Sequence, residues 1–240
     1  MSVLITGGTG RLGKELVKVF PKSLHPTRQE LDFEKKDQTD RYISDEKPGI
    51  VIHTAALTNV SYCEENKQKA YETNVEGTEN LVNASVNHNS SCYFVLISTA
   101  CVFRGDVGNY VETDIPYPKN YYALTKLLAE SVVKYSRLKF LITRTNFVAR
   151  EKWPYPRAFT DRYGTYLFAS DVASALKSAL EKKLTGIVHV CGEEKISMFD
   201  LAKITTPDIK PMTLSDYHGV PLTVDMSLNS DRIKPFKISR

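Results

Sequence analysis

The 240-residue chain predicts one α/β domain built on a doubly wound parallel sheet, and three observations carry that expectation. Short, continuous apolar runs rich in β-branched residues recur along it, as in strands buried on both faces. The stretches between them carry apolar residues at helical spacing. The first run opens straight into a glycine-rich turn that leads into a helix, the start of a βαβ unit. Helices covering both faces of a parallel sheet follow from that alternation.

Val3-Leu4-Ile5 is the first strand, and Gly7-Gly8-Thr9-Gly10-Arg11-Leu12-Gly13 is the turn. Leu12, Leu16, Val19 and Phe20 then mark a helix. Residues 49–54 form a buried strand, and residues from about 67 to 87 a helix with Ala70, Val75, Leu81, Val82 and Val86 as its apolar positions. Strands at 93–97, 139–143 and 187–190 alternate with helices at 121–135 and 171–182. Two regions break the rhythm. Residues 146–168 are rich in aromatic, Pro and Arg residues, including Trp153, Pro154, Tyr155 and Pro156, and residues 204–240 contain Pro207, Pro211, Pro221 and Pro235. They predict a small irregular lobe at the carboxyl edge of the sheet. The expectation is one domain over 1–240, with the nucleotide-binding core mainly in 1–145 and 169–191 and the substrate lobe mainly in 146–168 and 192–240.

Composition excludes several classes. A formal net charge of +4 from 32 basic and 28 acidic residues, without a basic run, argues against nucleic acid. No stretch approaches the roughly 18 apolar residues of a membrane span, and no signal peptide precedes the first strand, so a cytoplasmic protein is expected. Cys63, Cys92, Cys101 and Cys191 form no Cys-x-x-Cys pair and read as reduced structural thiols. His53 and His189 lie in apolar runs and read as packed core residues; no metal-site spacing is present.

The spacing Gly7-x-x-Gly10-x-x-Gly13, after a strand and opening a helix, suits a pyrophosphate at a helix N-terminus. A nicotinamide dinucleotide is the expected ligand. Some 20 residues on, where an acid would hold the ribose hydroxyl of NAD, stands His25-Pro26-Thr27-Arg28, with no acid before Glu30 and Asp32. Arg28, with Arg11, suits a 2′-phosphate, so NADP(H) is preferred and NAD(H) left open.

Tyr122 and Lys126 are four apart and share a helix face. A nearby ammonium and the oxidised cofactor ring would both lower the phenol from its ordinary value of about 10, toward the range useful for proton transfer. Leu124, Leu127, Leu128 and Val132 on the opposite face are expected to anchor the helix on the sheet. Ser98-Thr99 ends the strand at 93–97, where α/β proteins build their sites. Thr99, Tyr122 and Lys126 are the predicted catalytic set.

With these residues in this order, the chain resembles the Rossmann-type extended short-chain dehydrogenases, and most closely their dTDP-4-dehydrorhamnose reductase branch, over nearly its whole length. The segments that carry the likeness are the glycine turn, residues 30–33, 53–58, 73–77 and 97–105, and the tail from Val220-Pro221-Leu222 to Leu228-Asn229-Ser230-Asp231-Arg232-Ile233. The resemblance implies reduction by NAD(P)H of the C4 keto group of a nucleotide-linked 4-keto-6-deoxysugar. It implies Gly7, Thr9, Gly10, Arg11, Leu12, Gly13, Arg28, Asp32, Phe33, Ala55, Ala56, Leu57, Ile97, Tyr122 and Lys126 around the cofactor. It implies Val60, Thr99, Ala100, Asn146 and Phe147 around the sugar nucleotide, and a homodimer. Ala100-Cys101 stands where that branch has Asp-Tyr, Phe147 where it has Trp, and the stretch between Phe147 and Asp171 is shorter. Two alternatives therefore stand: a reductase of another keto-sugar or ketone, and a cofactor-binding regulatory subunit like that of methionine adenosyltransferase.

Overall fold

A computed structural model describes residues 2–239. Its elements run β1 (Val3–Thr6), α1 (Arg11–Val19), α2 (Lys36–Glu46), β2 (Ile50–His53), α3 (Val60–Glu65), α4 (Lys67–Tyr71), α5 (Gly77–His88), β3 (Tyr93–Thr99), α6 (Tyr121–Lys134) and β4 (Lys139–Thr145). There follow β5 (Phe147–Val148), β6 (Arg157–Phe159), β7 (Tyr163–Gly164), β8 (Leu167–Phe168), α7 (Ala169–Glu181), β9 (Gly186–Val190), β10 (Ile196–Ser197), α8 (Met198–Lys203) and β11 (Lys210–Met212).

Five strands pair in parallel in the order β1-β2-β3-β4-β9. On its other side β1 bonds a single residue, Leu24, whose N–H donates to the Val3 carbonyl and whose carbonyl accepts from Ile5 N–H, both at 2.8 Å. Strand order thus runs outward in both directions from β1, and the crevice beyond the carboxyl ends of β1 and β2 is a topological switch point.

Both faces of the sheet are covered, which explains the unbroken apolar strands. Successive residues of a strand point to opposite sides. Ile5, Ile52, Val95, Leu141 and Val188 meet α1 and α7 through Leu12, Leu16, Val172 and Leu176. Leu4, Val51, Phe94, Leu96 and Ile142 meet α2, α5 and α6 through Ile43, Leu81, Val82, Ala129 and Val133. Each fully buried side chain of this kind contributes about 1.5–3 kcal/mol.

The helix expected at 67–87 is α4 and α5 joined by a π-helical turn, Glu72–Glu76. The leucines of α6 do not anchor it as expected. Leu124 is 37% exposed, Leu128 is half-buried, Leu127 packs on the lobe and Val132 lies at the margin of the core. Small Ala123 and Ala129, with Val133, face inward beside Lys126 and Glu130, because the residues needed at the site claim the sheet side of the helix.

Beyond β4 the chain builds three two-stranded ladders, β5 with β8, β6 with β11 and β7 with β10. Trp153, Tyr166, Leu201, Ile209, Met226 and Leu228 make their own apolar cluster there, joined to the sheet through Ala100, Val102 and Phe103.

His53 is fully buried, its Nδ1 2.6 Å from Thr6 Oγ1 and its Nε2 3.1 Å from Thr78 Oγ1. Burial, aided by the charge of Lys126, pushes its pKa down to about 3. The neutral ring's contribution to stability is therefore complete above the ordinary value of 6.5 and lost as pH falls from there toward 3. Denaturant unfolding should show the protein weaker at about pH 5 than at about pH 7, with about 2 kcal/mol of the difference due to His53. His53→Asn should remove that part of the slope; an equal slope in the variant would disprove the assignment.

Candidate functional site

A cleft of about 880 Å³ runs along the carboxyl ends of β1 to β4. Its floor at the β1 end is the glycine turn. Gly7 has a φ of +72°, and a Cβ on it would sit 2.8 Å from Thr54 Oγ1. A Cβ on Gly13 would stand 2.0 Å from the Gly7 carbonyl oxygen, so α1 packs directly on the loop only because position 13 has no side chain. Thr9, Gly10, Arg11 and Leu12 complete this wall. Gly10 caps α1 without a side-chain oxygen, so the N–H groups of the first turn stay available to an anion. The cradle fits a pyrophosphate, and its length fits a dinucleotide.

Arg28 lines the next stretch of the cleft with Leu31, Phe33 and Glu34. The guanidinium stands 3.0 Å from Glu34 Oε2, and Lys69 from α4 bonds the same carboxylate oxygen. Thr73 donates to the other oxygen at 2.8 Å. Burial works against the Glu34 charge, but Lys69, Thr73 and Arg28 outweigh it and hold the carboxyl below its usual range. Asp32, expected against the cofactor, does not face the cleft; it lies behind, 3.7 Å from Arg28 Nε and 3.8 Å from Lys35 Nζ. The chain turns here, with Lys35 N–H donating to the Asp32 carbonyl at 2.9 Å, and the turn presents Phe33 and Glu34 to the cleft and not Asp32. Glu34, Lys69 and Thr73 were missed, and only the chain's path from α4 back to this loop brings them here.

Ala55, Ala56, Leu57 and Thr58 form the wall beyond β2. Asn74 holds it: its side-chain oxygen accepts from Leu57 N–H at 2.7 Å, and its amide donates to Leu57 O at 3.0 Å and Thr125 Oγ1 at 2.9 Å. Thr125 in turn donates to the Tyr122 carbonyl at 2.8 Å. The π turn around Asn74 tilts its amide between wall and helix, a local irregularity of the kind found at functional sites.

Ile97, Ser98 and Thr99 at the end of β3 line the cleft opposite Tyr122 and Lys126 of α6. Asn120 caps α6, its side chain accepting from Ala123 N–H at 2.9 Å, which starts the helix one residue before Tyr122. Thr99 Oγ1 accepts from Cys101 N–H at 3.1 Å and so also caps the following turn, Ala100–Val102. The predicted lowering of the Tyr122 pKa is not what the surroundings produce. Burial pushes the phenol well above its ordinary value, Cys101 and Cys63 push the same way, and the neighbouring Thr99 hydroxyl works against them. The phenol therefore keeps its proton at neutral pH, but the raised pKa makes it a weaker acid than a free tyrosine. Burial lowers Lys126 to about 8, opposed by the charge of Glu130.

Val60, Cys101, Asn146 and Phe147 line the cleft as well, with Asn146 held by its amide donating to the Met226 carbonyl at 2.8 Å. Ala100, expected at the sugar, is instead fully buried in the lobe cluster, because the turn after Thr99 rotates it inward and presents Cys101 to the cleft.

The sequence matches the RmlD substrate binding domain family over residues 1–155. It is 32% identical over 229 residues to a dTDP-4-dehydrorhamnose reductase of Aggregatibacter actinomycetemcomitans, covering 83% of this chain and 76% of that protein. A solved structure described as a hypothetical dTDP-4-dehydrorhamnose reductase from Sulfolobus tokodaii is similar at a TM-score of 0.85 and 33% identity, covering 97% of this chain and 93% of that one. Methionine adenosyltransferase 2 subunit beta of Rattus norvegicus is 24% identical over 281 residues, covering 99% of this chain and 83% of that protein. The family match takes in the glycine turn, Thr99, Tyr122 and Lys126 alike, and the chain accordingly belongs to the RmlD substrate binding domain family.

Proposed function

We propose that the protein reduces the C4 keto group of a nucleotide-linked 4-keto-6-deoxysugar, converting dTDP-4-dehydrorhamnose to dTDP-rhamnose with NADPH. The observation that carries the reading is that one cleft joins the glycine cradle to Thr99, Tyr122 and Lys126. The likeness to dTDP-4-dehydrorhamnose reductases supports the substrate. Bound along the cleft, a reduced nicotinamide supplies the hydride. Gly7, Gly10, Gly13 and the first turn of α1 hold the pyrophosphate. Ala55, Ala56, Leu57 and Ile97 pack against the dinucleotide. Thr99 orients the keto oxygen by hydrogen bonding, and Tyr122 delivers its phenolic proton to that oxygen. Lys126 binds the nicotinamide ribose and offsets the negative charge left on the phenol. Val60, Cys101, Asn146 and Phe147 face the sugar nucleotide. A cytoplasmic location goes with this reading; among the described residues no helix is long and apolar enough to cross a membrane.

The preference for NADPH rests on charge. Arg11, Arg28 and Lys69 line this part of the cleft with a single lining carboxylate, Glu34, which pairs with Arg28 and Lys69, a balance that favours a 2′-phosphate.

A second reading, a cofactor-binding regulatory subunit, draws on the likeness to the methionine adenosyltransferase subunit. The complete Thr99, Tyr122 and Lys126 set favours the enzyme.

Two experiments test the reading. With enzymatically prepared dTDP-4-dehydrorhamnose, NADPH should be consumed, and Tyr122→Phe should cut turnover by about 10²–10⁴-fold while leaving NADPH affinity intact. Tight NADPH binding without turnover in the wild type would exclude this reductase and turn attention to protein partners. Arg28→Ala should raise the KM for NADPH by roughly ten- to a hundredfold, the size of one hydrogen bond to a charged group, and leave that for NADH nearly unchanged. An equal effect on both cofactors would refute the 2′-phosphate assignment.

A further inference from the structure

Behind the cleft, three elements converge on one buried carboxylate. Glu130 of α6 is 3% exposed. Its Oε1 accepts from Ser98 Oγ of β3 at 2.5 Å and from Arg144 Nε of β4 at 3.0 Å, and its Oε2 accepts from Arg144 Nη2 at 2.7 Å. Each partner adjoins the wall of the cleft: Ser98 precedes Thr99, Arg144 precedes Thr145 and Asn146, and Glu130 lies one helical turn after Lys126. Arg144 is itself 2% exposed, with its guanidinium 5.0 Å from the Phe103 ring and its Nη1 without a hydrogen-bond partner. One buried anion therefore pairs directly with a buried cation, Arg144, and stands one helical turn from a second, Lys126.

We propose that Glu130 is a positioning residue: buried one helical turn from Lys126, it is the anion that balances that side chain, and it ties the ends of β3 and β4 to the helix that carries Tyr122. The proposal rests on the role given to Lys126 above. Direct ion pairing with Arg144 alone would explain the burial of Glu130, but not its placement four residues from a second buried cation and in contact with the strand that ends at Thr99. The other titratable groups near Lys126 are Tyr122 on the same helix and His53 on β2, and neither supplies an anion: the phenol stays protonated and the imidazole neutral. Among the described residues, the one carboxylate that acts on Lys126 is Glu130. Burial lowers the ammonium to about 8 even with that support, so loss of the anion would lower it further, toward physiological pH.

The test follows the Lys126 side chain itself. In the full-length protein labelled with ¹³C at lysine Cε, the Lys126 resonance, assigned with Lys126→Arg, is titrated by NMR. In Glu130→Gln its midpoint should fall by about one pH unit or more, and Glu130→Asp should recover part of the loss. A midpoint that does not move would overturn the proposal, since a purely structural role would alter stability and leave the titration in place. Glu130→Gln leaves Arg144 unpaired in the interior and can fail to fold. The double variant Glu130→Gln/Arg144→Met removes both charges of the pair; a downward shift is expected in it too, smaller because a cation leaves with the anion, and an unmoved or raised midpoint there would equally overturn the proposal. The titration needs no substrate. A protein that fails to reduce the sugar but shows the shift would sink the functional reading and leave this one standing.

Discussion

Helix α1 can lie against the first loop only because position 13 has no side chain, with the Gly7 carbonyl oxygen 2.0 Å from where a Cβ would stand. Much else depends on that contact. It fixes the helix over β1, so that Leu12 and Leu16 reach the core beside Ile5 and Ile52. It aims the free N–H groups of the helix into the crevice beyond the carboxyl ends of β1 and β2. The remaining walls of the cleft are the ends of β2, β3 and β4, whose register is set by ladder bonds to one another: Thr6 opposite His53, His53 opposite Leu96, and Thr99 opposite Thr145. The geometry of the site is thus largely the geometry of the sheet, and the loops contribute its two ends.

Desolvation acts on three ionisable groups along those walls, with consequences set by the sign of the charge. It keeps Tyr122 protonated, keeps His53 neutral and weakens the charge of Lys126. The first effect keeps a proton on the phenol while weakening it as an acid, and the second lets an imidazole sit in the core between two threonine hydroxyls. The third opposes the role proposed for the lysine and calls for an anion. Glu130 supplies it at the cost of burying Arg144 as well, an arrangement costly to dismantle one partner at a time. At the other end of the cleft, Glu34 gathers Arg28, Lys69 and Thr73 in the same way, but nearer to solvent, where each ion pair contributes less.

What was legible in the sequence was what local pattern determines. Strands buried on both faces read as unbroken apolar runs, and β2, β3, β4 and β9 lie where those runs lie. The glycine turn was readable because backbone constraints demand glycine there, and Tyr122 and Lys126 because helical spacing alone puts them on one face. Helix α2 was not legible: Thr39 and Ile43 are its only buried residues, too few to make a periodic stripe. The leucines of α6 misled because periodicity reports that a helix has an apolar face, not which face the sheet receives. Glu34 and Glu130 escaped notice because Lys69 and Thr73 lie 35 and 39 residues from the one, and Arg144 and Ser98 14 and 32 residues from the other. Ala100 and Asp32 were placed by likeness, and the direction of one local turn removed each from the cleft.

The central claim is that this cleft sets a hydride donor against the C4 carbon of a keto-sugar, with Tyr122 supplying the proton. The most direct test is to run the reaction with NADPH carrying deuterium at the transferred position and to examine the sugar product by NMR. The account predicts a dTDP-rhamnose bearing that deuterium at C4. Recovery of the keto-sugar unlabelled, with the deuterium still on the dinucleotide, would contradict it.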